Sequence, residues 1–432
     1  MKSKLSEITL EDMGTQNKIK NFYPFRVNDT KKCFKFDEII GLLIDYISSK
    51  KLKKFDLEIF KKKCLTTFEE NIDDKEAIKV LENIYFKKDK IEINSLLTKQ
   101  TNISNSKNND IFEIFKELIN NKKLDIRFES NLNFIEQIIL NELKKELKYL
   151  DSTFEKTSYL PFLEELFSND LKFLSSNKHY FIRNLESFLE LYLFIYCSQL
   201  ALNLQPIENA LSEPSSKELY FILNSETASK ERKKIQEFGY EKLYEKSKYI
   251  FPYLSLLSIF SKKLGNENLK LYELIDKFEE SDISLIDKFN NLYRESRSLN
   301  HQNESSTNLI ESFKRLLNSS FEQFKKGQST RNDVLIKYIK GFENNVSAPF
   351  YNNRGRAGKV LVLDQDRLIL LTNISIGNKK KIRLQELLNE FNKRGIYFDI
   401  KSQTELINTF EKIGNIERKS DSGDAVYVKT TI

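Results

Sequence analysis

Tryptophan is absent from this chain, and histidine, methionine and cysteine are nearly so, with two, two and three residues in 432. Each scarcity removes a class of function. His179 and His301 stand far apart with no cysteine or histidine beside them, so neither a histidine-based triad nor a histidine-rich metal site is expected. Cys33, Cys64 and Cys197 are odd in number and widely spaced, which excludes a disulfide framework and a structural zinc site. Cys64 and Cys197 fall in helical patterns, where a small buried apolar residue is the natural reading, and a reducing cytoplasm fits all three. With only 12 glycines and 6 prolines there is little material for tight turns, which favours long helices.

Long hydrophobic runs are missing too. The best candidate for a membrane span, residues 191–204, contains Tyr192, Tyr196 and Gln199 and follows Arg183, Glu186 and Glu190 on the same helix. It is shorter than the roughly 20 residues a span needs, so a buried core helix and no membrane partner are expected. Residues 1–12 are charged throughout, without the apolar segment of a signal peptide. The expectation is a soluble, cytoplasmic protein.

Complete catalytic motifs are likewise lacking. Gly355-Arg-Ala-Gly358-Lys359-Val360 is superficially a phosphate loop, but its glycines are too close, no Ser or Thr follows the lysine, and strand-like residues 360–363 stand where a helix should begin. Acidic pairs such as Asp56 and Glu58 lie in helical patterns rather than on adjacent strands, where a metal nuclease would need them. No catalytic residue, cofactor site or metal site is assigned.

What is present is amphipathic helix. Residues 36–47, 55–60 and 77–84 carry apolar residues at helical spacing, and the pattern continues through 134–150, 160–167, 181–204, 253–264, 269–278, 283–293 and 309–324. Residues 98–110 are rich in Asn, Ser, Thr and Lys and read as a linker or long exposed loop. The apolar run 218–223 reads as a short strand or a helix end. Neither a repeat nor a sustained heptad is found. These features divide the chain into an N-terminal helical region (1–105), a central helical domain (106–345) and a C-terminal domain (346–432), entered through a basic hinge at 354–359.

Charge is concentrated at the end. From Arg354 to Ile432 there are 15 Lys/Arg and 10 Asp/Glu, whereas the rest of the chain holds 55 and 53, so most of the net +7 lies in less than a fifth of the length. Asp364 is placed to cap a helix carrying Leu368, Leu370, Leu371 and Ile374. Leu384, Leu387, Leu388 and Phe391 mark a second helix, and Ser402-Gln-Thr-Glu405 reads as the capping box of a third, which buries Leu406, Ile407, Phe410 and Ile413. Residues 416–420 and 425–429, around a turn at 421–424, alternate as a hairpin. Three helices and a hairpin make a winged helix, in which the third helix enters the major groove.

On that reading the third helix presents Gln403, Thr404, Asn408, Thr409 and Lys412 outward, and amides and hydroxyls of this kind meet base edges and phosphates. Lys379, Lys380, Lys381 and Arg383 at the start of helix two, Lys401 beside the cap, and Arg418 and Lys419 on the wing would neutralise phosphates. Double-stranded DNA is the partner that this set fits. Docking of a protein by the same module is the competing reading, since Glu405 and Glu411 share the helix.

The strings Glu218-Leu-Tyr-Phe-Ile-Leu-Asn224 with the following residues 225–229, Phe251-Pro-Tyr-Leu254, Arg394-Gly-Ile-Tyr-Phe-Asp399 and Lys419-Ser-Asp-Ser-Gly-Asp-Ala-Val-Tyr-Val428 resemble the DptG family over most of the chain. This family is the G component of the DndFGH system of phosphorothioation-dependent DNA restriction. The resemblance implies a bacterial defence complex in which the F, G and H proteins attack DNA lacking the sulfur mark, with ATP-driven work in the other subunits. The chain is thus expected to be mainly α, with multi-helical N-terminal and central regions and a C-terminal winged helix. Its expected role is a non-catalytic DNA-binding or assembly subunit. A pure scaffold whose winged helix docks a motor or nuclease subunit, and an unrecognised metal-dependent nuclease, are the alternatives.

Overall fold

The computed structural model describes residues 3–432 other than 15, 53, 88–89, 103–104, 121, 123, 130, 151–155, 230, 267, 326–329 and 420–424. Helix accounts for 63% and strand for 9%, so the protein is mainly α, as the scarcity of Gly and Pro predicts. Two compact units are formed. The larger comprises Met1–Cys33, Lys156–Leu166 and Leu191–Thr431, and the smaller comprises Phe34–Glu155 and Phe167–Glu190 with Ile432.

In the smaller unit, α1 (Phe36–Ser48) is followed by β1 (Lys50–Leu52), α2 (Leu57–Asn71), α3 (Ser106–Ile119), α4 (Phe134–Glu146) and β2 (Leu147–Tyr149). Ile39, Ile40, Leu43 and Ile44 bury one face of α1. Gly41 lies so close to a 3-10 turn at Leu96–Thr101 that a Cβ would stand 2.4 Å from the Lys99 carbonyl oxygen. Asp56 caps α2 by accepting from the Glu58 and Ile59 amides, and Asn133 and Glu136 form a capping box on α4.

Two expectations fail in this unit. Leaving aside 103–104, which lie outside the described residues, 98–110 are not a linker but the end of a 3-10 turn and the start of a helix. Gln100 is buried and donates to Asp45 at 2.7 Å, Asn105 caps α3, and the fully buried Asn108 donates to Glu38 and accepts from the Lys35 amide at 3.0 Å. Gln100 and Asn108 are polar because each bonds a side chain and a backbone group within the unit, and Asn105 because it caps a helix. The helix expected over 134–150 stops at Glu146, and Leu147–Tyr149 pairs antiparallel with Lys50–Leu52. Apolar spacing compatible with both periods concealed the change.

Helix α5 (Lys178–Leu204) contains the apolar run 191–204, and 83% of its most apolar stretch is buried inside the protein. After it come β3 (Leu219–Leu223), α6 (Ile250–Leu264), α7 (Ile283–Ser296), α8 (Leu309–Glu322) and α9 (Arg331–Phe342). Phe260 of α6 sits among Phe278, Phe289 and Phe313, with ring centroids 5.8, 4.8 and 6.3 Å away. Each such buried ring contributes about 1.5–3 kcal/mol through its removal from water. Within the predicted helix 269–278 a 3-10 turn, Leu271–Glu273, precedes a short helix, Leu274–Lys277.

The chain then forms β4 (Tyr351–Asn353), β5 (Lys359–Leu363), α10 (Gln365–Ile376), β6 (Lys381–Arg383), α11 (Leu384–Lys393), β7 (Ile396–Phe398), α12 (Ile400–Ile413), β8 (Ile416–Lys419) and β9 (Ala425–Lys429). Residues 354–358 are the tip of the β4–β5 hairpin and Lys359 opens β5, so this basic stretch is not a hinge; the Arg354 amide donates to Gly358 O at 2.8 Å. One sheet has the order β4-β5-β3-β7, with β3 parallel to both β5 and β7. All five residues of β3 are buried, as a central parallel strand requires. Gly395, at φ +78°, lets the chain enter β7 where a Cβ would collide with Gln199. A second sheet, β8-β9-β6, is antiparallel.

Candidate nucleic-acid interface

The C-terminal segment departs from three helices and a hairpin in two ways. Lys381–Arg383 is a strand on β9 rather than the start of a helix, and Ile396–Phe398 is a strand on β3. The order is helix, strand, helix, strand, helix, hairpin. Asp364 caps α10 as predicted, accepting from the Arg367 amide at 2.8 Å. The predicted capping box at Ser402 is replaced by Asp399, which accepts from the Ser402 amide at 2.9 Å, so α12 begins at Ile400. Ser402 lies inside the helix and fully buried.

A buried ionic cluster fixes this end of α12. Arg232 Nη1 donates to Glu226 at 2.7 Å and its Nε to Asp399 at 2.9 Å, while Nη2 donates to Asp399 and, at 2.7 Å, to Ser402 Oγ. Ser402 in turn donates to Glu226 at 3.0 Å. Burial works against the Arg232 charge, but hydrogen bonds to Asp399 and Glu226 outweigh it and hold the guanidinium above its ordinary pKa. Burial also works against the Asp399 carboxylate, and Arg232 with the Ser402 amide outweighs it, so Asp399 titrates below its ordinary range. None of these three ionic residues was a sequence candidate. The D-x-x-S spacing at Asp399 was a signal for the cap, but nothing local announced Arg232 and Glu226.

With Ser402, Leu406 and Phe410 turned inward, α12 exposes Lys401, Thr404, Asn408 and Lys412 along one line, at steps of three, four and four residues. Thr404 donates to Ile400 O at 3.1 Å and Asn408 to Glu405 at 3.1 Å. Glu405 also accepts from Ser225 Oγ at 3.2 Å. Gln403 is half-buried and donates to Phe398 O at 2.9 Å, and Thr409 is half-buried, so both stand beside the line rather than on it. Ile400, at the first turn, is 83% exposed.

The other candidates divide between two faces. Arg418 pairs with Glu411 and so lies against α12. Lys381, Arg383, Tyr427, Lys429 and Glu417 share the opposite face of the β8-β9-β6 sheet, by their register with one another. There Lys381 and Lys429 both bind Glu417, and these contacts hold its carboxyl down to about 2. The Arg383 guanidinium stands 6.0 Å from the Tyr427 ring centre. Lys379 and Lys380 are exposed in the turn before β6. Among the described residues, Lys379, Lys380, Lys401 and Lys412 have no carboxylate partner, in contrast to Lys381 and Arg418. The Lys419 side chain and the turn predicted at 421–424 lie outside the described residues.

Among the described residues no group of His, Cys, Asp and Glu is arranged to hold a metal ion. Cys64 and Cys197 are buried, as expected. No protein-family model matches the chain, and no curated protein matches it in sequence.

Proposed function

We propose that the C-terminal segment binds duplex DNA as a winged helix, with α12 in the major groove. We further propose that the chain is the DNA-binding or assembly subunit of a phosphorothioation-dependent restriction complex. The observation that carries DNA contact is the line Lys401, Thr404, Asn408 and Lys412, exposed on a helix whose opposite face is anchored by Ser402, Leu406 and Phe410. Two cations without carboxylate partners flank a hydroxyl and an amide at a spacing that follows one groove. The restriction role rests on the resemblance of residues 218–229, 251–254, 394–399 and 419–428 to the DptG family, and it brings the F and H components as partners.

A second reading, docking of a protein subunit, is favoured by one feature. Arg418 and Lys381 are already neutralised by Glu411 and Glu417, which leaves a surface of mixed sign. The two readings separate in a binding titration of the full chain with duplex DNA across a salt series, plain and phosphorothioated. DNA binding predicts a salt-dependent affinity that Lys401→Glu with Lys412→Glu abolishes. Affinity unmoved by that pair of reversals would leave the docking reading standing.

A further inference from the structure

The short ribbon β1–β2 of the smaller unit sets Lys51 directly opposite Lys148, two like charges on one face of an antiparallel pair. Such a pair is destabilising unless an anion lies between its members. Both lysines line an open hollow of about 580 Å³, together with Leu52, Lys54 and Glu146. Its single carboxylate is committed elsewhere, to Lys63 at 2.5 Å. Asp45 lies within electrostatic reach of Lys51 but takes its hydrogen bond from Gln100.

A lysine cluster is usually a solvated face whose charges find carboxylates. In this same unit Lys61, Lys99, Lys144 and Lys145 do so, pairing with Glu82, Asp37, Glu129 and Glu142 at 2.6, 2.6, 3.2 and 2.6 Å. Among the described residues Lys50, Lys51, Lys54 and Lys148 form no salt bridge with a carboxylate, Asp45 acting on Lys51 only through space. On the other face of the ribbon Lys50 stands opposite Tyr149, with its ammonium 5.3 Å from the ring centre, and Tyr149 is 81% exposed. Cations therefore occupy both faces of a two-stranded ribbon. A bilayer or an acidic protein surface would meet only one of them. The major groove of a duplex admits a two-stranded ribbon and carries phosphates on both walls.

We infer that the β1–β2 ribbon is a nucleic-acid contact in its own right, entering a duplex groove with Lys51, Lys54 and Lys148 against one phosphate wall and Lys50 with Tyr149 towards the other. This contact stands whether or not α12 binds DNA.

The test is a salt series with the full chain and a plain duplex, comparing wild type, Lys51→Gln with Lys148→Gln, and Lys401→Gln with Lys412→Gln. The ribbon variant is expected to lose affinity and to flatten the salt dependence by about 2 in slope, while its thermal midpoint holds or rises because a like-charge pair is gone. Lys54→Gln, which leaves the strand pairing untouched, is expected to flatten it by about 1. Unchanged affinity and slope in both ribbon variants would overturn the inference. So would loss confined to binding of vesicles made of equal parts phosphatidylserine and phosphatidylcholine. Loss in the α12 variant alone would sink the ribbon and leave the α12 reading intact, and the reverse pattern would do the opposite.

Discussion

Arg232 gives one guanidinium nitrogen to Glu226 and two to Asp399, so a single buried cation joins the loop after β3 to the first turn of α12. Removing it leaves two carboxylates facing each other without a counterion. Arg232→Ala is therefore expected to lower stability by about 3–5 kcal/mol, read as a shift of the urea midpoint. Arg232→Lys should recover only part of it, since one ammonium cannot reproduce the planar fork. A midpoint within error of wild type would show that the cluster does not anchor α12.

Acid should act through the same cluster. Asp399 titrates below its ordinary value in the folded chain, so its contribution is complete above the unfolded value and is lost as pH falls through the folded one. Stability is expected to decline below about pH 4, with a component that Asp399→Asn removes. Parallel pH profiles of the two proteins in that range would contradict the assignment.

Glu417 should titrate near 2, and Lys381→Met should move it up towards the ordinary carboxylate range, because hydrogen bonds from Lys381 are the leading cause of the shift. Carboxyl carbon shifts followed by NMR read this directly. An unmoved titration in Lys381→Met would mean that Lys429 alone holds the charge.

If the C-terminal segment binds DNA, lysines without carboxylate partners should matter more than paired cations. Lys379→Gln with Lys380→Gln should flatten the salt dependence by about 2 in slope, and Lys381→Gln with Arg418→Gln by less, since Glu417 and Glu411 already neutralise those two. Equal losses from the two pairs would argue that the ion pairs open on binding.

Thiol reactivity gives an independent check of the core. Burial pushes the Cys64 thiol up to about 12 and raises that of Cys197 further, whereas Cys33 is only half-buried. A thiol reagent should label Cys33 first in the native protein and all three cysteines in denaturant. Early modification of Cys197 would place α5 outside the core.

Helices were readable from the sequence wherever one apolar face ran uninterrupted, as in α1, α6 and α8, and Asp364 announced the start of α10. Boundaries failed where two signals overlapped. Leu147 continues the helical spacing of α4 yet begins a strand, and Ser402 imitates a cap three residues after the true one at Asp399. The polar stretch 98–110 misled because Asn105 is polar to cap α3 and Asn108, itself buried, is polar to bond Glu38. The exposed line on α12 was largely legible, because it needs only helical spacing. The Arg232 cluster was not, because Asp399 is 167 residues from Arg232 in the chain and no local pattern couples them.

The placement of β3 between β5 and β7 also has a bearing on biosynthesis. At about 5–20 residues per second, a ribosome delivers β7 roughly ten to thirty seconds after β3 has been made. Until β5 has been made both edges of these five apolar residues are bare, and until β7 follows one edge still is, which is the condition under which nascent chains associate wrongly. A chaperone acting on this protein would be needed most between the emergence of Leu219 and that of Phe398, and slower translation of that stretch would lengthen the hazard rather than relieve it.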